Sequence, residues 1–407
     1  MTFPIIALVA IFILAVALLW REGLIKKDAE SVFIIIFAAL ALVIRAFMFD
    51  FESGDYKTFL EPWVDYLRAN GGFAAIASYP GNYNPPYIYF LAAISYLGVR
   101  DLYMIKLFSV LFDVLLAYAC MKLLSCVTSS RTRLLTAFFV VLYLPTVVIN
   151  GAYWGQCDSV YAFFGIWALY LAMRGKGKRS MASLAVCFGF KLQAVFIIPA
   201  FFPLLLAKKI KWRDLLVFPL VYIILMLPNM IAGGGFIETL TLYFRQAGTV
   251  GDAMNYNAPS LTSMFSWSGD TSGAAKLFIA AAFLFVLIVF AYSYLRRNEL
   301  SNRVLIGLAV VLCMGIPFLL PHMHDRYFYI AGVLSIVLAA SDECFFPAPV
   351  FAEMASLHCY YAYFAGYYLY QPRINGILML LSLLFCIAFT AAYERKERKI
   401  EKFKIDP

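Results

Sequence analysis

The sequence predicts an all-α fold: a polytopic transmembrane helical bundle of about 13 spans, with amphipathic and re-entrant helices on its outer face. Three observations carry this. Of the 407 residues, 63% are hydrophobic and only 14% are charged, whereas water-soluble folds have about a quarter of their residues charged. The apolar residues gather in runs of about 15–20, with the charges confined between them. Those runs lack the alternation of a lipid-exposed strand, which leaves helices as the spanning element. The formal charge of +9 reads as basic loops on the inner face of a membrane, not as a nucleic-acid surface.

The first run, 3–20, lacks a basic leader and a small-residue cleavage site, so a retained span is expected there and not a signal peptide. Further spans are expected at 31–49, 102–124, 134–148, 157–173, 180–190, 192–207, 214–231, 275–294, 304–320, 327–340, 348–368 and 374–392. Those at 180–190 and 192–207 fall short of the ~17 residues of a full crossing and suggest a hairpin entering a cavity. The run 86–98 is also short and is expected to be re-entrant or interfacial. In 56–69, Tyr56, Phe59, Leu60, Trp63 and Leu67 recur at helical spacing against Lys57, Glu61, Asp65 and Arg68. That pattern predicts an amphipathic helix on the membrane surface.

Charge gives an orientation. With the N-terminus outside, the inner segments 21–30, 122–133, 174–179, 208–213, 296–303 and the tail after Tyr393 hold 23 of the 33 Lys and Arg. The outer segment 50–84 holds Lys57 and Arg68 against five acids. This asymmetry follows the positive-inside rule. The chain reads as one integral-membrane domain, 1–407. Its parts include a first outer loop at 50–101, a second long outer loop at 232–274 (Gly-, Ser- and Asn-rich, as suits a lid) and a basic cytoplasmic tail at 393–407. The eight cysteines are scattered without CxxC or zinc spacing and read as small core residues.

In this topology the unusual polar groups converge on the outer side. Asp55 follows the second span. Gln156 and Asp158 sit between the fourth and fifth, Lys191 and Gln193 at the tip of the 180–207 hairpin, and His322, His324, Asp325 and Arg326 between the tenth and eleventh. Each has a plainer reading. Asp55 could cap the surface helix and Asp158 the fifth span, and Lys191 could snorkel to the interface. His322 and His324 with an acid could hold a metal, although i,i+2 spacing on a loop is a poor ligand signature. Asp113, mid-span, calls for a partner, Lys106 or Arg45. The tyrosines from Tyr360 to Tyr370 read first as an interfacial aromatic belt and second as a sugar platform.

Gly54-Asp55-Tyr56, Trp63, Tyr83-Asn84-Pro85-Pro86-Tyr87 and Val110-Leu111-Phe112-Asp113-Val114-Leu115-Leu116 resemble the start of the integral-membrane type-C (GT-C) glycosyltransferases, above all the dolichyl-phosphate-glucose glucosyltransferases. Phe188-Gly189-Phe190-Lys191-Leu192-Gln193 resembles their Asn-Phe-Lys-Gln segment. His322-Met323-His324-Asp325-Arg326-Tyr327-Phe328-Tyr329 resembles a His-Glu-Arg-Tyr-Phe-Tyr run of bacterial proteins related to the GPI-anchor second mannosyltransferase. The departures are an additional span before Asp55, His324-Asp325 where His-Glu is usual, and no paired acidic motif of the divalent-metal members.

The resemblance implies an inverting hexosyltransferase, with mannose favoured. The donor would be a polyprenyl-phosphate-linked monosaccharide and the acceptor a lipid-linked or cell-envelope glycan, at the outer face of the membrane; the short loops, compact size and Lys-rich tail suggest a bacterial inner membrane. Asp55 would be the catalytic base. Lys191, Arg326, His324 and His322 would hold the donor phosphate. Gln156, Asp158, Asn84, Tyr83, Gln193 and Asp325 would bind sugar or acceptor. No metal or other cofactor is expected. The rival class is a transporter or flippase for a lipid-linked sugar, which predicts repeated halves; no repeat is evident.

Overall fold

The computed structural model describes residues 2–243, 246 and 251–405, with backbone alone for 2 and 394–405. The expected outer loop 232–274 is therefore described except at 244, 245 and 247–250, and the expected tail 393–407 through residue 405.

The protein is an all-α bundle. Helices α1 (Thr2–Arg21) and α2 (Ala29–Ala46) form an apolar pair, and Asp28 caps α2 by accepting from the Ser31 N–H. Past α2 the chain turns on Lys106, whose ammonium donates to the carbonyls of Met48 (2.7 Å) and Phe51 (2.6 Å). The surface helix then begins as a π-helical turn, Tyr56–Leu60, and continues as α3 (Glu61–Ala69). Its entrance is fixed by Ser53, whose Oγ accepts from the Tyr56 N–H and donates to the Trp154 carbonyl. Asp55 makes no capping bond, so its side chain has another use.

Helix α4 (Pro85–Ser95) opens on two prolines, which suit a first turn whose N–H groups lack partners. It is followed by α5 (Asp101–Leu124). Arg68 of α3 forks onto the Asp101 carboxylate and also reaches the Ser95 carbonyl, so both ends of the α4–α5 connection stay at one end of the bundle. At 11 residues, α4 is not among the helices long and apolar enough to cross a membrane. Helix α6 (Arg131–Tyr143) stops before Pro145, and the chain bends by 47° into α7 (Pro145–Val148). A π-helical turn, Ile149–Trp154, completes this segment and ends on Gly155 at φ +79°, where a side chain would be strained. The span expected at 134–148 is therefore a longer, broken helix.

Helices α8 (Asp158–Met173) and α9 (Gly177–Phe190) pack side by side. At Lys191 the backbone is extended, and short 3-10 turns lead into α10 (Phe201–Leu206), giving the expected hairpin. Then come α11 (Val217–Ile231), α12 (Phe236–Leu240) and β1 (Asn255–Tyr256). The remaining elements are α13 (Ser272–Leu295), α14 (Asn302–Leu319), β2 (Met323–His324), α15 (Tyr329–Ser341), α16 (Pro347–Ala365) and α17 (Pro372–Ile405). Strands β1 and β2 pair in parallel and tie the 232–274 loop to the HMHDR loop.

Among the described residues, seven helices are long and apolar enough to cross a membrane, or eight if the bent pair counts as one. The other expected spans are helical but shorter or more polar. Outer helices α1 and α13 expose most of their surface, whereas α5 and α14 are enclosed by their neighbours. Inside, Arg45 of α2 pairs with Asp113 of α5 at 2.9 Å, both fully buried, and Ser159 donates to the other Asp113 oxygen. Arg45 is thus the partner, and Lys106 is spent on the turn after α2. The basic groups collect at one end. Arg131 holds Asp28 and Glu30, Lys122 holds Glu22, and Arg133 and Arg303 both donate to the Ser341 carbonyl. The polar cluster lies at the other.

Candidate active site

Helix breaks build this cluster. Four segments end or bend there: the turn after α2, the π-helical turn after α7, the tip after α9, and the loop between α14 and α15. Breaks of this kind free backbone and side chains to line a cavity. The cavity has a volume of about 700 Å³, and its wall includes Asp55, Tyr83, Asn84, Gln156, Lys191 and Arg326.

Asp55 is the most heavily engaged acid on that wall. Its Oδ2 accepts from Trp154 Nε1 (3.0 Å) and Gln156 Nε2 (2.7 Å), and its Oδ1 accepts from the Tyr363 hydroxyl (2.8 Å). The Arg326 guanidinium stands 3.7 Å away. Two neighbouring acids are occupied elsewhere. Asp50 accepts from the Tyr103 hydroxyl, and Glu52 bridges Lys57 and Arg100. Neither lines the cavity.

Trp154 organises this arrangement. Its indole N–H holds Asp55, one face carries the Arg326 guanidinium at 4.8 Å, and Tyr363 stacks on the ring at 4.2 Å. Arg326 is enclosed by Asp325 at 3.6 Å, Asp55 at 3.7 Å and Asp158 at 4.0 Å. Burial works against its charge, but Asp158 and then Asp325 outweigh that and hold it firmly cationic. Its Nε and Nη1 are buried without a hydrogen-bond partner. Such donors are costly unless something accepts from them.

Asp158 departs from expectation. It is 1% exposed and lies behind the wall, one oxygen taken by the Lys191 ammonium and the other by Asn150 Nδ2 at 2.7 Å. It neither caps α8 nor faces the cavity; it anchors the two cations. Lys191 is 12% exposed and reaches the wall from the tip after α9, so it is not a snorkelling residue.

The histidines separate. His324 stacks on Tyr256 of β1 (4.8 Å, 10° between planes) and lines the cavity. Burial first, then Arg326 and Lys191, push its pKa down to about 4. It is therefore a neutral group and not the fixed cation expected from the sequence. His322, at φ +62°, turns its Nδ1 to the Ala253 carbonyl at 2.8 Å and is not part of the wall. The two rings face different neighbours, and among the described residues no three His, Cys, Asp or Glu groups converge as metal ligands.

Asp325 is buried and accepts from Asn257 Nδ2 at 3.2 Å; burial raises its carboxyl to about 6. Asn84 donates to the Gly189 carbonyl (2.6 Å) while its Oδ1 stays unpaired. Gln193 Oε1 is likewise buried and unpaired. Both can accept from ligand hydroxyls. Tyr83 packs on Trp63 (5.2 Å between centroids) and faces the cavity.

Of the residues expected from the sequence, then, all but His322 and Asp158 lie on one wall. Sequence reasoning missed the direct roles of Trp154, Asn257 and Tyr363. Trp154 stands two residues before Gln156, one of the residues expected from the sequence. Tyr363 sat in a run read as an aromatic belt, whereas Tyr363, Tyr367 and Tyr368 line the cavity and Tyr360 is buried.

A family model described as glycosyltransferase family 87 matches residues 82–320. The matched region contains Asn84, Gln156, Asp158, Lys191 and Gln193, while Asp55, Arg326 and Tyr363 lie outside it. No curated protein matches the chain.

Proposed function

The chain belongs to glycosyltransferase family 87, and we propose that it is an inverting hexosyltransferase whose catalytic base is Asp55. The donor in this reading is a polyprenyl-phosphate-linked hexose, with mannose favoured, and the acceptor a lipid-linked or cell-envelope glycan. Residues 1–407 are read as one integral-membrane glycosyltransferase domain. Its basic end faces the cytoplasm and its cavity end the outside of a bacterial inner membrane, consistent with the distribution of Lys and Arg.

One observation carries the reading: a carboxylate oriented by three hydrogen-bond donors shares a cavity wall with two cations, Arg326 and Lys191. In the proposed step the acceptor hydroxyl oxygen attacks C1 of the donor sugar from the face opposite the phosphate. Its proton passes to Asp55. The C1–O bond to phosphate breaks with inversion, and the phosphate leaves with the electron pair. That leaving group needs no proton, so one carboxylate suffices where a glycosidase uses two. Negative charge grows on phosphate as the bond breaks. The Arg326 guanidinium, whose Nε and Nη1 donors have no partner, suits phosphate oxygens, with Lys191 beside it. Charge compensation by these side chains is proposed to need no metal. Asn84 Oδ1, Gln193 Oε1 and the Tyr83 ring are assigned to the sugars, and Asp325 to holding the loop through Asn257.

The test is a panel of short-chain polyprenyl-phosphate hexoses, one sugar varied at a time, read by mass spectrometry for released polyprenyl phosphate and glycosylated acceptor. Release from one donor is expected. Activity with nucleotide sugars alone, or no release from any hexose donor, would overturn the proposal.

A further inference from the structure

Glu353 is an acid in the apolar helix α16, away from the cavity wall, and nothing in the proposed reaction uses it. An ionisable group among membrane helices calls for a reason. Its two oxygens go to one residue: Oε1 accepts from the Thr146 N–H at 2.8 Å and Oε2 from the Thr146 hydroxyl at 2.7 Å. Thr146 is the second residue of α7, directly after the break at Leu144-Pro145. The first turn of a helix has N–H groups without intrahelical acceptors. A break inside a bundle leaves them far from water. Glu353 therefore caps a helix that has no capping side chain of its own.

The same helix grips the far end of that segment. The Tyr360 hydroxyl lies 3.5 Å from Asn150 Nδ2, Tyr363 stacks on Trp154 at 4.2 Å, and Phe364 packs edge-on against Trp154 (4.9 Å) and Tyr153 (5.0 Å). Segment 145–154 is thus clamped at both ends by α16. It delivers Trp154 and Gln156 to Asp55, while α16 itself delivers Tyr363. Ten residues separate Glu353 from Tyr363, about 15 Å at the rise of an α-helix.

We propose that Glu353 is a positioning residue: through Thr146 it fixes the broken helix whose end holds the Asp55 carboxylate in place. If the clamp is released, Trp154 and Gln156 drift from Asp55. A base that drifts from its orienting donors no longer meets the acceptor hydroxyl in the productive geometry.

The parent, Glu353→Ala, Glu353→Gln and Thr146→Val are compared in lipid nanodiscs. Two readouts are steady-state kinetics, with kcat and donor KM separated, and amide-exchange mass spectrometry. For Glu353→Ala, kcat is expected to fall about tenfold, the rate equivalent of one hydrogen bond, with donor KM unchanged. Exchange quickens in 145–157 but not in α5 or α14. Glu353→Gln keeps an acceptor for the Thr146 N–H and a partner for its hydroxyl, and restores every readout. Thr146→Val keeps the main-chain bond and gives a smaller change of the same kind; it decides the matter should Glu353→Ala not assemble. The proposal is overturned if Glu353→Ala keeps the parental kcat, if exchange in 145–157 is unchanged, or if Glu353→Gln behaves like the alanine variant. The kinetic readouts rest on Asp55 being the base of a transferase. The exchange readout does not, so an inactive parent would refute the reaction and leave this proposal to be judged on exchange alone.

Discussion

Asp55→Asn separates chemistry from architecture at the proposed base. The amide has nearly the shape of the carboxylate. Its oxygen can take the position that accepts from Trp154 and Gln156, and its nitrogen then faces Tyr363, whose hydroxyl rotates to accept. All three contacts survive. The lost ion pair with Arg326 spans 3.7 Å between side chains 21% and 19% exposed, and a pair at an open cavity is worth about 1 kcal/mol or less. Arg326 keeps Asp158 and Asp325. Stability should therefore change little. The rate should not survive: removing a general base lowers turnover by about 10²–10⁴, which is about 3–5 kcal/mol on the barrier. The assay pairs thermal unfolding in nanodiscs with release of polyprenyl phosphate from the preferred donor. Turnover within about threefold of the parent, too small a change for loss of a base, would refute the assignment. A large loss of thermal stability would refute the claim that the amide is accommodated.

Three further outcomes follow from the same geometry. Arg326→Lys keeps the charge but loses the planar guanidinium and its unpartnered donors, and donor KM should rise by about 10–100-fold, the loss of one charge-assisted hydrogen bond; an unchanged donor KM in the kinetic assay would remove Arg326 from the phosphate. His324 is held neutral in the fold, with a pKa lowered from 6.5 to about 4, so the unfolded chain binds the proton first. Its contribution to stability is present above pH 6.5 and is lost as pH falls toward 4, by up to about 3 kcal/mol. His324→Phe retains the stack on Tyr256 and should flatten that acid decline in unfolding scans; an identical decline would place the titration elsewhere. Lys106→Met removes two ammonium–carbonyl bonds at the turn after α2, worth about 1.5–3 kcal/mol each where well formed. It should lower the melting temperature and quicken amide exchange across 47–55; unchanged exchange there would count against the turn depending on Lys106.

The helices were readable because hydropathy is local: a run of apolar residues betrays a buried or lipid-facing helix whatever its neighbours are. The helix after Asp55 and the short helix α4 were readable for the same reason, from amphipathic spacing and from a short apolar run. What failed to appear was partnership. Tyr363 and Asp55 lie 308 residues apart, and a tyrosine aimed at a carboxylate has the same sequence signature as one aimed at lipid headgroups. Asp113 visibly needed a cation, but Lys106 and Arg45 stood as equals until the fold spent one on a turn. His324 looked like a charge because composition cannot register its burial beside two cations. Glu353 was findable by the rule that singled out Asp113, an acid inside an apolar run; only its partner, a main-chain N–H at a helix break, was hidden.

The Arg45–Asp113 pair also constrains how the protein is made. Arg45 belongs to α2, but its counter-ion arrives 68 residues later in the chain, on α5. Until then α2 holds a guanidinium that would cost about 2.5–3.5 kcal/mol or more at mid-bilayer. Because Arg45 sits in the last turn of α2, the interim solution is to reach outward to the interface. Final seating of α2 is therefore postponed until α5 is inserted. The turn that follows α2 and bears Asp55 waits on the same helix, since Lys106, which gathers it, also lies on α5. A nascent chain halted before α5 would hold Asp55 but not its place; the site is closed by the order in which the membrane receives its helices.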